Sequence, residues 1–467
     1  MRVATEPQMT SGASDLVSPW LARNAICLLG FLGLALFGVL YLARPDAYLK
    51  LIAFWFYFDN PKDPPFTDLG AVMAQIECWQ KAQGTPAAGT ACAGFMYSPI
   101  WLRFSFMAQD AVPPIFAGLL VVSAFFISWR ALPPARDRFG LVLMILAATS
   151  STCVFAVERA NVDVLLFVLA VAAALSLGAP WPRRAWAYAL MLLGGLLKFY
   201  PIVLLFAVLR ERLPRLIAVS ALVVLSLAAF FWHYRAEFSP VVQGVAGLNT
   251  HWGPFADRYS ARQLPAGLLL LATSDAPPTA IELLPGTDTI NPEPPLWSLV
   301  VLTLLALAVA LWQLRRGDIR VRWQALTPRE ADFLILGAVI VAGCFFAGYN
   351  IMYRGIFLLL ALPGLITMAG SRQAGLPSLF VRGLPIAVVY NMWAPTIQHL
   401  IHYLAKVTGW LATGRTVQFT DWLLHEVAWW WTITGFLALM LNYAWQSPAL
   451  QSLLPALRGR PGAPQTP

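Results

Sequence analysis

The sequence predicts an all-α, polytopic integral membrane protein, on three observations. Of 467 residues, 59% are hydrophobic and 12% charged, about half the roughly 25% charge of a soluble domain; mean hydropathy is +0.65. Apolar segments of about 20 residues, the length a helix needs to cross a bilayer, recur from Leu21 to Trp445. Basic residues gather in short loops between them. These are Arg130, Arg136 and Arg138; Arg183 and Arg184; Arg210, Arg212 and Arg215; and Arg315, Arg316, Arg320, Arg322 and Arg329. Such loops alternate with acidic or neutral ones, the positive-inside pattern. The net charge of +9 therefore reports membrane orientation, and a nucleic-acid partner is not expected.

Spans are predicted near 21–43, 111–129, 139–157, 162–180, 214–232, 296–314, 332–348, 355–370, 384–404 and 424–445, within a total of 10–12 transmembrane or re-entrant helices. Residues 1–20 read as a cytoplasmic tail, because Arg2, Glu6 and Asp15 leave no short apolar core with a cleavage site. Residues 21–232 read as one membrane module with an outer loop at 44–110. A second outer loop follows at 233–295, then a C-terminal module at 296–445. Residues 446–467, rich in Pro, Gly and Ala, read as a flexible cytoplasmic tail.

One segment breaks the pattern. A single crossing by 185–209 would place Arg210 to Arg215 on the wrong side. Splitting it at Lys198 and Pro201 into two half-helices restores the parity. Pro201 supplies the break, since it removes a donor and crowds the preceding turn. Irregular backbone at membrane depth is tolerated where protein or a water-filled cavity covers it.

Polar intrusions then collect on the outer side. Glu158-Arg159-Ala160-Asn161-Val162-Asp163 interrupts two apolar runs, where ionisable groups are costly and mark a site by default. Lys198, Tyr200 and Pro201 form the tip of the hairpin. Tyr349, Asn350, Tyr353 and Arg354 lie between two further spans. Asp68 heads a helix over Phe66 to Gln83 that lies along the membrane face, with Phe66, Leu69, Val72, Met73, Ile76 and Trp79 on one side. One carboxylate facing cations from separate segments suits chemistry on a phosphate-bearing lipid. The carboxylate takes a proton from an acceptor hydroxyl, while Lys and Arg hold the phosphate as its glycosyl bond breaks.

Each residue also has a structural reading. Asp68 and Asn161 suit helix N-termini, Glu158 can pair with Arg159, and Lys198 and Arg354 can anchor at the interface. The five histidines are scattered with no metal-binding spacing, and a single-carboxylate base requires no metal; no cofactor is expected. Cys27, Cys153 and Cys344 read as small core residues. Cys78 and Cys92 lie in the first outer loop, where oxidising conditions permit a disulfide or two free thiols.

In order and spacing, these elements resemble the lipid-linked-sugar glycosyltransferases of the GT-C fold, and most closely glycosyltransferase family 87, which is polyprenyl-phosphate-mannose-dependent. The matching elements are Asp68 in the first large outer loop and Tyr97-Ser98-Pro99. Next come Glu158 to Asp163 opening an apolar helix, and Gly194-Gly195-Leu196-Leu197-Lys198-Phe199-Tyr200-Pro201. The match covers residues 20–215, then mainly Asn350 to Arg354. The resemblance implies an inverting transfer of a hexose, mannose above others, from a polyprenyl-phosphate sugar to a glycolipid or glycan acceptor, on the extracytoplasmic face of the cell membrane. It implies Asp68 as general base, Lys198 and Arg354 on the donor phosphate, Arg159, Asn161 and Asp163 shaping the sugar pocket or bracing the base, and Glu158, Tyr200, Asn350 and Tyr353 around the sugar. Asp59 and Asp63 precede Asp68, so either takes the base's place if the loop register differs. The other readings are a lipid or polysaccharide transporter or flippase, and a glycan polymerase or ligase.

Overall fold

The computed structural model describes residues 18–56, 64–81, 97–238, 258–273, 293–371, 379–408 and 411–457. Asp59, Asp63 and Cys92 lie outside the described residues, as do 1–17 and 458–467 of the expected tails and 239–257 and 274–292 of the second loop. The helices in chain order are α1 (Pro19–Ala43), α2 (Pro45–Phe56), α3 (Thr67–Lys81), α4 (Pro114–Trp129), α5 (Arg138–Ala148), α6 (Ser151–Arg159), α7 (Val162–Leu177) and α8 (Trp181–Lys198). Then come α9 (Leu213–His233), α10 (Gln263–Thr273), α11 (Leu296–Arg315), α12 (Asp318–Trp323), α13 (Pro328–Ala347), α14 (Leu358–Gly370), α15 (Leu379–Val407), α16 (Leu411–Trp445) and α17 (Pro448–Leu457). Segments Pro99–Arg103, Tyr200–Arg210 and Met352–Phe357 are 3-10 helical. β structure among the described residues is one two-residue antiparallel pair, β1 (Arg258–Tyr259) with β2 (Asn350–Ile351). The protein is a multi-pass, all-helical membrane protein.

Among the described residues, five helical segments are long and apolar enough to cross a membrane: 19–43, 213–233, 296–315, 328–347 and 352–370. Their burial sorts them by position. The apolar windows of 328–347 and 352–370 are 78% buried and form the centre of the bundle. Those of 19–43, 213–233 and 296–315 are only 11–17% buried, so their apolar side chains face outward, as a lipid solvent allows. The core between them is aromatic, with Phe125, Phe167, Phe333, Phe345 and Phe357 essentially inaccessible.

Four expectations need correction. The span expected at 139–157 is two helices, α5 and α6, bent by 42° at Thr149–Ser150. Thr149 Oγ1 donates to the Ile145 carbonyl and Ser150 Oγ to that of Ala147; such back-bonding bends helices. Ser150 also accepts from the Cys153 amide and so caps α6. The helix near Phe66 is present, but its stripe Phe66, Leu69, Val72, Met73, Ile76 and Trp79 is buried against the protein instead of lying on a membrane surface. α16 is 35 residues long, about 50 Å, and so overruns a ~30 Å hydrocarbon core. Finally, 448–457 of the expected flexible tail is helix α17, held where Ser447 Oγ donates to the Leu209 carbonyl at 2.5 Å.

The hairpin is present. α8 runs out to Lys198, the chain reverses at Phe199, and Tyr200–Arg210 returns as a 3-10 helix. Tyr188 hydroxyl donates to Glu211 Oε1 at 2.9 Å and Arg184 Nε lies 2.8 Å from the same oxygen, so the two ends of the segment meet. The legs pack closely: a Cβ on Gly195 would lie 3.1 Å from the Ile202 Cα. Arg210 pairs with Asp332 at the start of α13, and Arg136 with Glu330 beside it. Basic loops from several parts of the chain thus gather at one end of the bundle. Lys198 and Asn350 lie at the other end, a helix length of about 27–30 Å away along α8 and α13.

Candidate functional site

Three backbone reversals deliver the site. Among the described residues, the non-glycine residues with positive φ are Phe66 (66°), Ala160 (43°) and Phe199 (59°). Each flanks a residue singled out by the sequence: Asp68, Asn161 and Lys198. For bulky side chains this region costs free energy and persists only where the surroundings dictate it. Phe66 is held by its amide donating to the Glu158 carbonyl at 2.7 Å. Its ring lies over Gly118, where a Cβ would come within 2.3 Å of it. Ala160 ends α6 in the left-handed conformation, its amide bonded back to the helix, and turns the chain directly into α7. Asn161 then caps α7, its Oδ1 accepting from the Asp163 amide at 3.0 Å. Phe199 packs among Phe230, Phe231 and Phe238, and Trp101 Nε1 donates to the Leu197 carbonyl at 3.0 Å, clamping the hairpin tip.

The side chains form one connected polar network. Asn161 Nδ2 donates to Asp68 Oδ2 at 2.6 Å, and Lys198 Nζ donates to Asn161 Oδ1 at 3.0 Å. Lys198 Nζ also reaches Asp163 Oδ1 at 2.6 Å, and Tyr200 hydroxyl donates to that same oxygen at 2.8 Å. Arg354 Nε lies 3.6 Å from Asp163 Oδ2. Arg354 Nη1 donates to Asn350 Oδ1 at 2.6 Å, while Asn350 Nδ2 donates to the carbonyls of Tyr259, Cys344 and Gly348. The Lys198 ammonium sits over the rings of Tyr97 and Tyr353, at 5.3 and 5.6 Å, and Arg354 over Tyr200 at 5.1 Å; both are cation–π distances.

Asn161 and Asp163 are fully buried, and the two cations neutralise Asp163 where an unpaired charge would be costly. Asp68 is half-buried. Burial pushes its carboxyl above the usual range, against the Asn161 hydrogen bond and the nearby Arg159 and Lys198 charges, which hold it down. Its Oδ1 takes no hydrogen bond among the described residues. It is therefore a carboxylate anchored by one oxygen, with a raised proton affinity suited to a general base.

Asp68, Asn161, Asp163, Lys198, Tyr200, Asn350, Tyr353 and Arg354, scattered along the sequence, thus converge. Glu158 and Arg159 stand beside the network and pair with each other at 3.2 Å. Glu158 accepts from the Tyr48 hydroxyl at 3.4 Å and supplies the carbonyl that fixes Phe66, so it acts as a brace. Sequence reasoning missed Tyr48, Trp101 and Tyr259, and it named Phe66 and Ala160 without foreseeing their backbone reversals. Cys78 is disulfide-bonded, while Cys27, Cys153 and Cys344 are free and buried.

Fold and site together define a multi-pass membrane protein with a charged, asparagine-braced centre at the end opposite its basic loops. The chain matches no family model, no curated protein and no solved structure.

Proposed function

We propose that the protein is a membrane glycosyltransferase of the GT-C type, resembling glycosyltransferase family 87, that moves a hexose from a polyprenyl-phosphate sugar to an acceptor hydroxyl. The observation that carries this reading is the single network linking Asp68 to Lys198 and Arg354. Half-buried Asp68, whose Oδ1 takes no hydrogen bond among the described residues, is joined through Asn161 to Lys198, which shares Asp163 with Arg354 from a separate segment. The positive-inside rule assigns the basic end to the cytoplasm, so the site faces the extracytoplasmic side of the cell membrane.

In the reaction, the acceptor hydroxyl gives its proton to Asp68 Oδ1 as its oxygen bonds to the anomeric carbon. The bond from that carbon to the phosphate oxygen breaks on the opposite face, which inverts the centre. The electron pair leaves on the phosphate, giving polyprenyl phosphate, and Asp68 later releases its proton to water. Lys198 and Arg354 stabilise the charge growing on the phosphate, the kind of preorganised electrostatics that contributes most to such steps. Their N–H groups not engaged by Asp163 and the asparagines receive the phosphate oxygens. Mannose is the hexose expected first.

The test is transfer by the purified protein in vesicles, using radiolabelled polyprenyl-phosphate mannose and a glycolipid extract as acceptor. A new labelled covalent product is expected, and Asp68→Asn lowers its rate by about 10²–10⁴-fold, the worth of a positioned general base. Full activity in Asp68→Asn, Asp63→Asn and Asp59→Asn alike would refute the mechanism. Movement of label across the vesicle without a product would favour a transporter instead.

A further inference from the structure

Among the described residues, Asn161 is the side chain that bonds both the carboxylate and the lysine of the site. We propose that Asn161 is a positioning residue that joins the cation receiving the donor phosphate to the carboxylate receiving the acceptor proton, so that a single amide sets the aim and proton affinity of Asp68. This rests on the roles given above to Asp68 and Lys198.

The chemistry of the partners fixes the amide's orientation. The Asp163 amide and the Lys198 ammonium are donors only, so the atom facing both, at 3.0 Å each, is the carbonyl oxygen Oδ1. Nδ2 is thereby turned toward Asp68 Oδ2. The residue has no freedom to rotate away: it is fully buried, its backbone follows the left-handed Ala160, and its side chain caps α7. An N–H donor on Oδ2 leaves Oδ1 to take the proton. Hydrogen bonding to a carboxylate favours its ionised form, which opposes the burial that would keep Asp68 protonated. The other groups acting on Asp68 come from three elements and the loops beside them. Arg159 of α6 and Lys198 of α8 favour its charge, Asp163 of α7 disfavours it, and the Tyr97 and Tyr353 hydroxyls lie within electrostatic reach.

Asn161→Asp separates positioning from packing. Aspartate keeps the α7 cap and an acceptor for Lys198, but it replaces the donor to Asp68 with a second negative charge. In the transfer assay with polyprenyl-phosphate mannose, the acid limb of the rate profile is expected to move upward by about one pH unit or more. kcat at neutral pH should fall about tenfold or more as a consequence, with the donor KM changed far less. Asn161→Ser, which also caps well but is too short to reach Asp68, should move the limb the same way by less, and serves if the aspartate variant does not fold. An acid limb that stays in place in both variants, while Asp68→Asn is inactive, overturns this inference and leaves the function standing. Transfer that survives Asp68→Asn removes Asp68 as the base and, with it, this inference, whereas the absence of any labelled product from the parent protein overturns the function.

Discussion

At the scale of single residues, the carboxylate of Asp68 carries a cost in stability. Burial raises its proton affinity in the folded protein, and the Asn161 bond with the Arg159 and Lys198 charges only partly offsets this. The sign follows from linkage. Below the unfolded pKa of about 3.9 the group is protonated in both states and costs nothing. As pH rises through the raised folded value, the folded state must give up a proton it holds more tightly than the unfolded chain, and stability is lost. Asp68→Asn removes that loss. It is expected to be inactive yet more heat-stable than the parent at pH 7, with the gap closing toward pH 4 in thermal unfolding scans of the detergent-solubilised protein. A variant less stable than the parent at pH 7 contradicts this account. Fully buried Asp163, by contrast, has Lys198 and Arg354 at its two carboxylate oxygens.

At the scale of elements, the site depends on three turns that composition does not announce. Phe66, Ala160 and Phe199 adopt positive φ without being glycine, so no local residue preference foretold them. They are held by distant partners: Phe66 by the Glu158 carbonyl and the bare surface of Gly118, and Phe199 by the α9 aromatics. Gly118→Ala tests this dependence. The new methyl would lie within 2.3–2.9 Å of Phe66 ring and Cβ atoms, forcing that ring and the start of α3 to move. Overpacking of this kind costs about 1–3 kcal/mol. The expected result is a lower unfolding midpoint together with a loss of transfer disproportionate to the remaining folded fraction, because Asp68 lies two residues from Phe66. Transfer that simply tracks the folded fraction would show that α3 does not depend on this contact. The polar intrusions at Glu158–Asp163 and Lys198–Pro201 were visible in the sequence because ionisable groups stand out in apolar runs. The bend at Thr149–Ser150 was not, because hydroxyl groups that bond back to their own helix look the same as those that do not.

At the scale of the whole molecule, the hairpin of α8 and its 3-10 return decides which residues share an end. Both its termini meet at Glu211, while its tip carries Lys198 to Asp163. Single cysteines at the exposed positions Arg183 and Arg212 should therefore react with an impermeant maleimide from one side of sealed vesicles. A cysteine at exposed Asp110 should react from the other. Among the described residues the background is quiet, since Cys27, Cys153 and Cys344 are buried and Cys78 is disulfide-bonded. Labelling of Arg183→Cys and Arg212→Cys from opposite sides would mean that the segment crosses once.

The sequence by itself determined the membrane class, the grouping of basic loops at one end, the need for a hairpin, and the residue types of the site. Each of these follows from the cost of placing charge or unpaired backbone in an apolar medium, which composition and spacing report directly. Tertiary structure alone decided that Asp68, Asn161, Asp163, Lys198 and Arg354 form one network, and that Asn161 faces both carboxylate and lysine. It also decided that the α3 stripe packs on protein. Those facts depend on contacts between residues some 35 to 191 positions apart, such as Lys198 with Asp163, Asn161 with Asp68 and Arg354 with Asp163. No local pattern encodes such meetings, because they arise only when the reversals at Phe66, Ala160 and Phe199 bring the segments to the same end of the bundle.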